Sequence, residues 1–143
     1  MKKLLLLLAC ALSLYSSELI IKESKYGVSQ TIQNIKEIVT SQGFGVFAII
    51  DHRANAGLVG MEMREAKVIV FGNPKAGTKL MQEDILSALD LPLRVLVYRD
   101  SPQSVKVVYR NVSTLEKDFN LKDTNHLTTM DKGLEAIVKK ATE

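Results

Sequence analysis

The chain has 143 residues, 46% of them apolar and 24% charged, with a formal net charge of +3. These proportions exclude a disordered or fibrous protein and suit a globular one able to bury its own core. Two of the 19 basic residues are Lys2 and Lys3, without which the balance falls to +1; with no Lys/Arg block either, nucleic-acid binding has no electrostatic basis.

Lys2-Lys3 is followed by an apolar run from Leu4 to Tyr15, then Ser16-Ser17 and the polar Glu18. A basic start, a short apolar core and small residues make a secretory signal peptide. The run is shorter than the ~20 residues of a membrane span, so no stable span is expected after cleavage. The reading is an export leader over 1–17 and a single domain over 18–143, placed in the periplasm. Leu7-Leu8-Ala9-Cys10 also resembles a lipoprotein signal, with an anchor on Cys10 as the minor alternative. Cys10 is the only cysteine. Cleavage beyond it leaves a chain with no disulfide, thiol redox chemistry or cysteine-ligated metal.

Leu19 to Ser24 reads as a first strand. Val28, Ile32, Ile35 and Val39 recur at helical spacing, with Ile38 beside them and Gly43 as terminator, which predicts a helix over about 28–42. Phe44 to Asp51 is apolar on both alternating faces, which predicts a central strand covered on both sides, or an interior strand of a dimer. His52 to Gly60 reads as a helical turn and loop, and Lys67 to Phe71 as a strand. Gly72 to Leu91 is a loop with helical content, with Leu80, Met81, Ile85, Leu86 and Leu89 on one side. Leu93–Arg99 and Val105–Arg110, joined by "DSPQS", predict a hairpin. Leu127, Met130, Leu134, Ile137 and Val138 define a closing amphipathic helix, with His126 exposed near its start. The order β-α-β-β-(helical insert)-β-β-α favours an α+β fold with a mainly antiparallel sheet over a doubly wound one.

"VIVFGNPKAGTKL" has the glycine spacing of a nucleotide-binding loop between a strand and a helix. Its ending, Gly77-Thr78-Lys79, exchanges the lysine and hydroxyl that such a loop needs to reach the outer phosphates and magnesium. A nucleoside triphosphatase is therefore excluded. Two readings stay open: a turn in which Asn73 caps a helix begun by Pro74, or a modest anion site of exposed N–H groups assisted by Lys75.

His52 could act as acid or base, because imidazole titrates near neutral pH. Asp51 cannot readily orient it, since neighbours on a strand point to opposite faces. The bland reading is that both side chains bond loop backbone. Met61-x-Met63 with His52 would suit Cu(I), although such methionines are more often ordinary apolar contacts.

"FAIIDHRANA", "VIVFGNPKAGTKLMQ" and "LDLPLRVLVYRD", in that order and spacing, resemble the domain-of-unknown-function family 302 over about residues 19–140. The resemblance implies a compact α+β domain with a curved antiparallel sheet, similar to the TATA-box-binding-protein-like class, often dimeric and with no established activity. Its polar signature falls on Asp51, His52, Asn55, Asn73, Lys75, Thr78 and Gln82. Glu83-Asp84 stands where similar members carry Asn-Pro, and Tyr98 where tryptophan is common. Those two acids bring negative charge near Lys75 and Lys79.

These readings lead to an exported, non-catalytic domain, a homodimer, binding a small anionic ligand or a protein partner. The expected cleft lies between the Asp51-His52 strand end and the Asn73–Gln82 loop. Lys75 would supply charge, Asn73 and Thr78 hydrogen bonds, and His52 a pH-dependent contact. The alternatives are a hydrolase or isomerase using His52, and a copper binder using His52, Met61 and Met63. No cofactor is expected.

Overall fold

A computed structural model describes residues 18–143, so the leader expected over 1–17, with Cys10, lies outside the described residues. The elements follow in the order β1 (Leu19–Ser24), α1 (Val28–Ser41), β2 (Gly45–Asp51), α2 (His52–Leu58), β3 (Ala66–Gly72) and α3 (Pro74–Glu83). A 3-10 turn at Ile85–Leu89 leads to β4 (Leu93–Ser101) and β5 (Ser104–Arg110), and a second at Val112–Lys117 leads to α4 (Thr124–Thr142). The fold is α+β, and its five strands pair antiparallel throughout, in the order β1-β5-β4-β3-β2.

Alternation along β3, β4 and β5 decides which face is covered. Ile69 and Phe71, Val95 and Val97, and Val105, Val107 and Tyr109 share one face and are all buried. Helices α1 and α4 lie over that face with Ile32, Ile35, Val39, Leu134, Ile137 and Val138. Helix α1 ends as its sequence predicts: Gly43 takes φ 77°, and Phe44 N–H donates to the Val39 carbonyl at 2.9 Å. Polar contacts join these elements. The Ser24 and Thr31 hydroxyls meet at 2.7 Å, and Asn34 donates to the Ala141 carbonyl at 3.1 Å, tying α1 to α4.

The opposite face carries an apolar row across all five strands: Ile21, Val108, Leu96, Val68 and Ile50 are consecutive cross-strand partners. Ile21 is 58% exposed at one end of the row.

Three sequence expectations are corrected. β2 is an edge strand and not a central one, with Phe47, Ile49 and Ile50 exposed. The hairpin turn is only Pro102-Gln103, because β4 and β5 run further than their apolar cores. The helical insert divides at Asp84, whose carboxylate caps the 3-10 turn through Leu86 N–H at 3.0 Å. Leu80 and Met81 consequently face inward while Ile85, Leu86 and Leu89 stay exposed.

Candidate functional site

The register of β2 against β3 decides what can form a site. Gly45 pairs with Gly72 at one end, and Asp51 with Lys67 at the other. Six residue steps of about 3.3 Å separate the two ends, roughly 20 Å. Asn73 follows Gly72, and His52 follows Asp51. The expected cleft between the Asp51-His52 tip and the Asn73–Gln82 segment therefore does not exist, because an antiparallel return carries β3 away from that tip.

At the Asp51 end, the chain turns into α2. Asp51 caps this helix, accepting from Ala54 N–H at 2.9 Å, and pairs with Lys67 at 3.1 Å. The Ala54 hydrogen bond, then the Lys67 ammonium, hold its carboxyl below the ordinary value of 3.8. His52 and Asn55 are exposed on α2. His52 is not among the residues that line the hollow at the opposite end of β2. Met61 and Met63 lie on the exposed stretch after α2, and about 9 Å of helical rise separates His52 from the end of that helix.

At the Gly45 end, Asn73 caps α3. Its side-chain oxygen accepts from Lys75 N–H at 3.0 Å and Ala76 N–H at 3.3 Å, while Pro74 has no N–H to offer. The N–H of Gly77 already bonds the Asn73 carbonyl at 3.0 Å. The stretch that resembles a phosphate cradle is thus a capped turn whose first donors are consumed. Lys75 and Gln82 are exposed and do not line the hollow nearby. Glu83 and Asp84 also have structural partners: Glu83 accepts from Lys122 N–H at 2.6 Å, and Asp84 from Asn120 N–H at 2.9 Å. They tie α3 to the segment leading into α4.

Beside this cap lies a cavity of about 520 Å³ between α3, α4 and the start of β2. Pro74, Gly77 and Met81 supply one wall, and His126, Met130, Gly133 and Ile137 the other. Residues 126, 130, 133 and 137 fall on one face of α4 by their i, i+4, i+7 spacing. Phe44, Phe47, Gly72 and Pro92 close the sheet side. Phe44 is held by stacking on the buried Phe71, with ring centroids 6.3 Å apart.

Phe47 is there because of an irregularity in pairing. Val46 pairs with Phe71 and Ala48 with Val70, so Phe47 is an extra residue without a partner. A bulge of this kind re-aims a side chain at a sheet edge, and it swings Phe47 to the mouth of the cavity. Of the expected ligand residues, Asn73 and Thr78 line the cavity; Asp51, His52, Asn55, Lys75 and Gln82 do not. His126, expected to be exposed, is half-buried in its wall, with Nε2 3.2 Å from the Ala76 carbonyl. Phe47, Met81, Met130 and His126 were the missed contributors. The α4 periodicity was the one available signal for two of them.

A sequence profile described as Domain of unknown function DUF302 matches residues 20–141. The chain belongs to the DUF302 family. Fluoride-specific ion channel FluC 1 of Brucella suis is 34% identical to this DUF302 chain over 109 residues, 76% of the chain and 43% of the Brucella protein. Fluoride-specific ion channel FluC 2 of Brucella melitensis is also 34% identical over 109 residues, 76% of the chain and 40% of that protein. The chain thus spans about two fifths of the length of these relatives. Among solved structures, the crystal structure of an uncharacterized conserved DUF302 protein from Bacillus stearothermophilus superposes with a TM-score of 0.79. The match covers 88% of this chain and 99% of the other at 18% identity, which establishes a shared fold. Among the described residues no helix is long and apolar enough to cross a membrane.

Proposed function

We propose that this DUF302 domain is a non-catalytic binding module that takes a small molecule into the cavity between α3 and α4, and that it works as an exported homodimer. The observation that carries the binding reading is the cavity itself. A preformed, mainly apolar hollow of about 520 Å³ falls in the size range of small-molecule sites. A binding role is favoured over catalysis because the lining brings one imidazole, His126, and no carboxylate or amine to pair with it. The anionic ligand suggested by Lys75 loses support, since the α3 donors are engaged by Asn73 and Lys75 is outside the cavity. The apolar row on the open sheet face supports pairing of two copies, and the leader pattern over 1–17 supports export.

A second reading, a protein partner, draws on the relatives. Both Brucella proteins are named as fluoride-specific ion channels, and each is more than twice as long as the matched portion. A module that accompanies a membrane protein would account for that arrangement.

Native mass spectrometry of protein purified from its own compartment tests the first reading. The expected spectrum shows a dimer and a retained small-molecule mass that is absent from a Gly133→Leu variant. Turnover of neutral ester substrates that disappears in His126→Ala would contradict a binding-only role.

A further inference from the structure

We infer that the α3–α4 cavity selects a neutral, ring-bearing apolar molecule with a single hydrogen-bonding group, and rejects an anion of the same shape. The inference rests on the binding reading above and adds the chemical class of ligand.

Charge decides the first part. None of the residues lining the cavity is Asp, Glu, Lys or Arg. A cation would find no carboxylate there and an anion no lysine or arginine, so either would leave water without a permanent opposite charge, which is costly in an apolar hollow. The polar groups of the lining are mostly taken. The Asn73 oxygen caps α3, the Thr129 hydroxyl donates to the Asn125 carbonyl at 2.8 Å, and His126 Nε2 lies 3.2 Å from the Ala76 carbonyl. The Asn73 amide nitrogen and the Thr78 hydroxyl remain at the α3 end, with His126 Nδ1 on the facing α4 wall. The pair on α3 can serve one polar group.

Shape decides the second part. A Cβ added at Gly72 would meet Pro92 Cβ at 3.5 Å and Phe47 Cε2 at 3.9 Å, so the bare glycine lies between the Phe47 ring and the Pro92 pyrrolidine. Phe44 adds a second aromatic ring to that side. The two phenyl rings favour an aromatic partner in offset or edge-to-face contact. Opposite them, Met81 and Met130 provide flexible, polarisable walls.

Gly133 bears on access to the hollow. It lies inside the 19-residue α4, where glycine is a poor helix former, and a Cβ there would meet nothing within 4 Å. Gly133 is exposed and lines the hollow, so a larger residue there would both strengthen the helix and reach across the opening.

The test uses two fluorescent probes with one scaffold: neutral N-phenyl-1-naphthylamine, and 1-anilinonaphthalene-8-sulfonate, which adds a sulfonate. The neutral probe is expected to bind the purified protein at least tenfold more tightly. Gly133→Leu is expected to raise the melting temperature while weakening the neutral probe at least tenfold. Leu58→Ala, at the far end of β2 and 85% exposed in the parent, serves as a control and leaves probe affinity unchanged. Equal or tighter binding of the sulfonate, still lost in Gly133→Leu, overturns the selectivity and leaves the binding reading standing. Neutral-probe binding that survives Gly133→Leu, or disappears in Leu58→Ala, overturns the site and the binding reading together.

Discussion

The two ends of β2 are built from the same apolar run and come out differently. At the Gly45 end, pairing slips by one residue, Phe47 turns outward from the ladder, and two helices flank a hollow beside it. At the Asp51 end, the ladder stays regular and the chain passes into a short helix with no buried residue. The polar signature Asp51-His52 sits on the plain end. The cavity sits on the other, where Asn73 and Thr78 join mainly apolar residues. Residue type alone is therefore a poor guide to the site here; the register of one strand pair decides which groups share space.

The largest effect expected from disturbing this contrast is at Phe71. It is fully buried and supports Phe44 at the cavity, so Phe71→Ala is expected to cost ~3–5 kcal/mol in denaturant unfolding. A loss confined to a few tenths would show that the Gly45 end is loosely packed. Next comes the cap of α3: Asn73→Ala is expected to cost about 1 kcal/mol, and Asn73→Asp to restore most of it. If the aspartate variant were as unstable as the alanine one, capping would not be the role of this side chain.

At the other end, Asp51→Asn keeps a capping oxygen but removes the charge facing Lys67. Its carboxyl is held below 3.8 in the native state, so its contribution is present above that pH and fades as pH falls through the depressed native value. The deficit of Asp51→Asn relative to the parent should then close at strongly acidic pH. Urea midpoints at neutral and acid pH measure it, and a deficit independent of pH would contradict the assignment. The smallest effect is expected at Leu58, 85% exposed on α2, where Leu58→Ala should change stability by no more than ~0.5 kcal/mol.

Much of the framework is visible in the sequence because it depends on local rules. Helix α1 follows from a run of isoleucine and valine at helical spacing closed by Gly43, and α4 from Leu127 through Val138. The Asn73-Pro74 start of α3 also follows from local chemistry, since the cap involves groups two and three residues apart. The position of β2 does not. A strand apolar on both faces reads as central, yet this one is at the edge, with one side turned to the cavity through the bulge at Phe47. Nothing in the order of residues 44–51 marks which of them will be left unpaired, because a bulge depends on how two strands fit. His126 escaped for a related reason: its partner, the Ala76 carbonyl, is 50 residues away and belongs to a different helix. The opposite placement of His52 and Asn73 was partly legible. Consecutive strands joined through one seven-residue helix pair antiparallel here, which puts the end of the first beside the start of the second.

The central claim is that the Gly45 end of β2, and not the Asp51 end, receives the ligand. Titration of the isotopically labelled protein with N-phenyl-1-naphthylamine, followed by backbone amide shifts, tests it most directly. The account predicts shifts at Phe47, Gly72, Gly77 and Gly133, with His52, Asn55 and Leu58 unmoved. Shifts gathered on residues 51–58, with the amides around Gly72 and Gly133 silent, would contradict it.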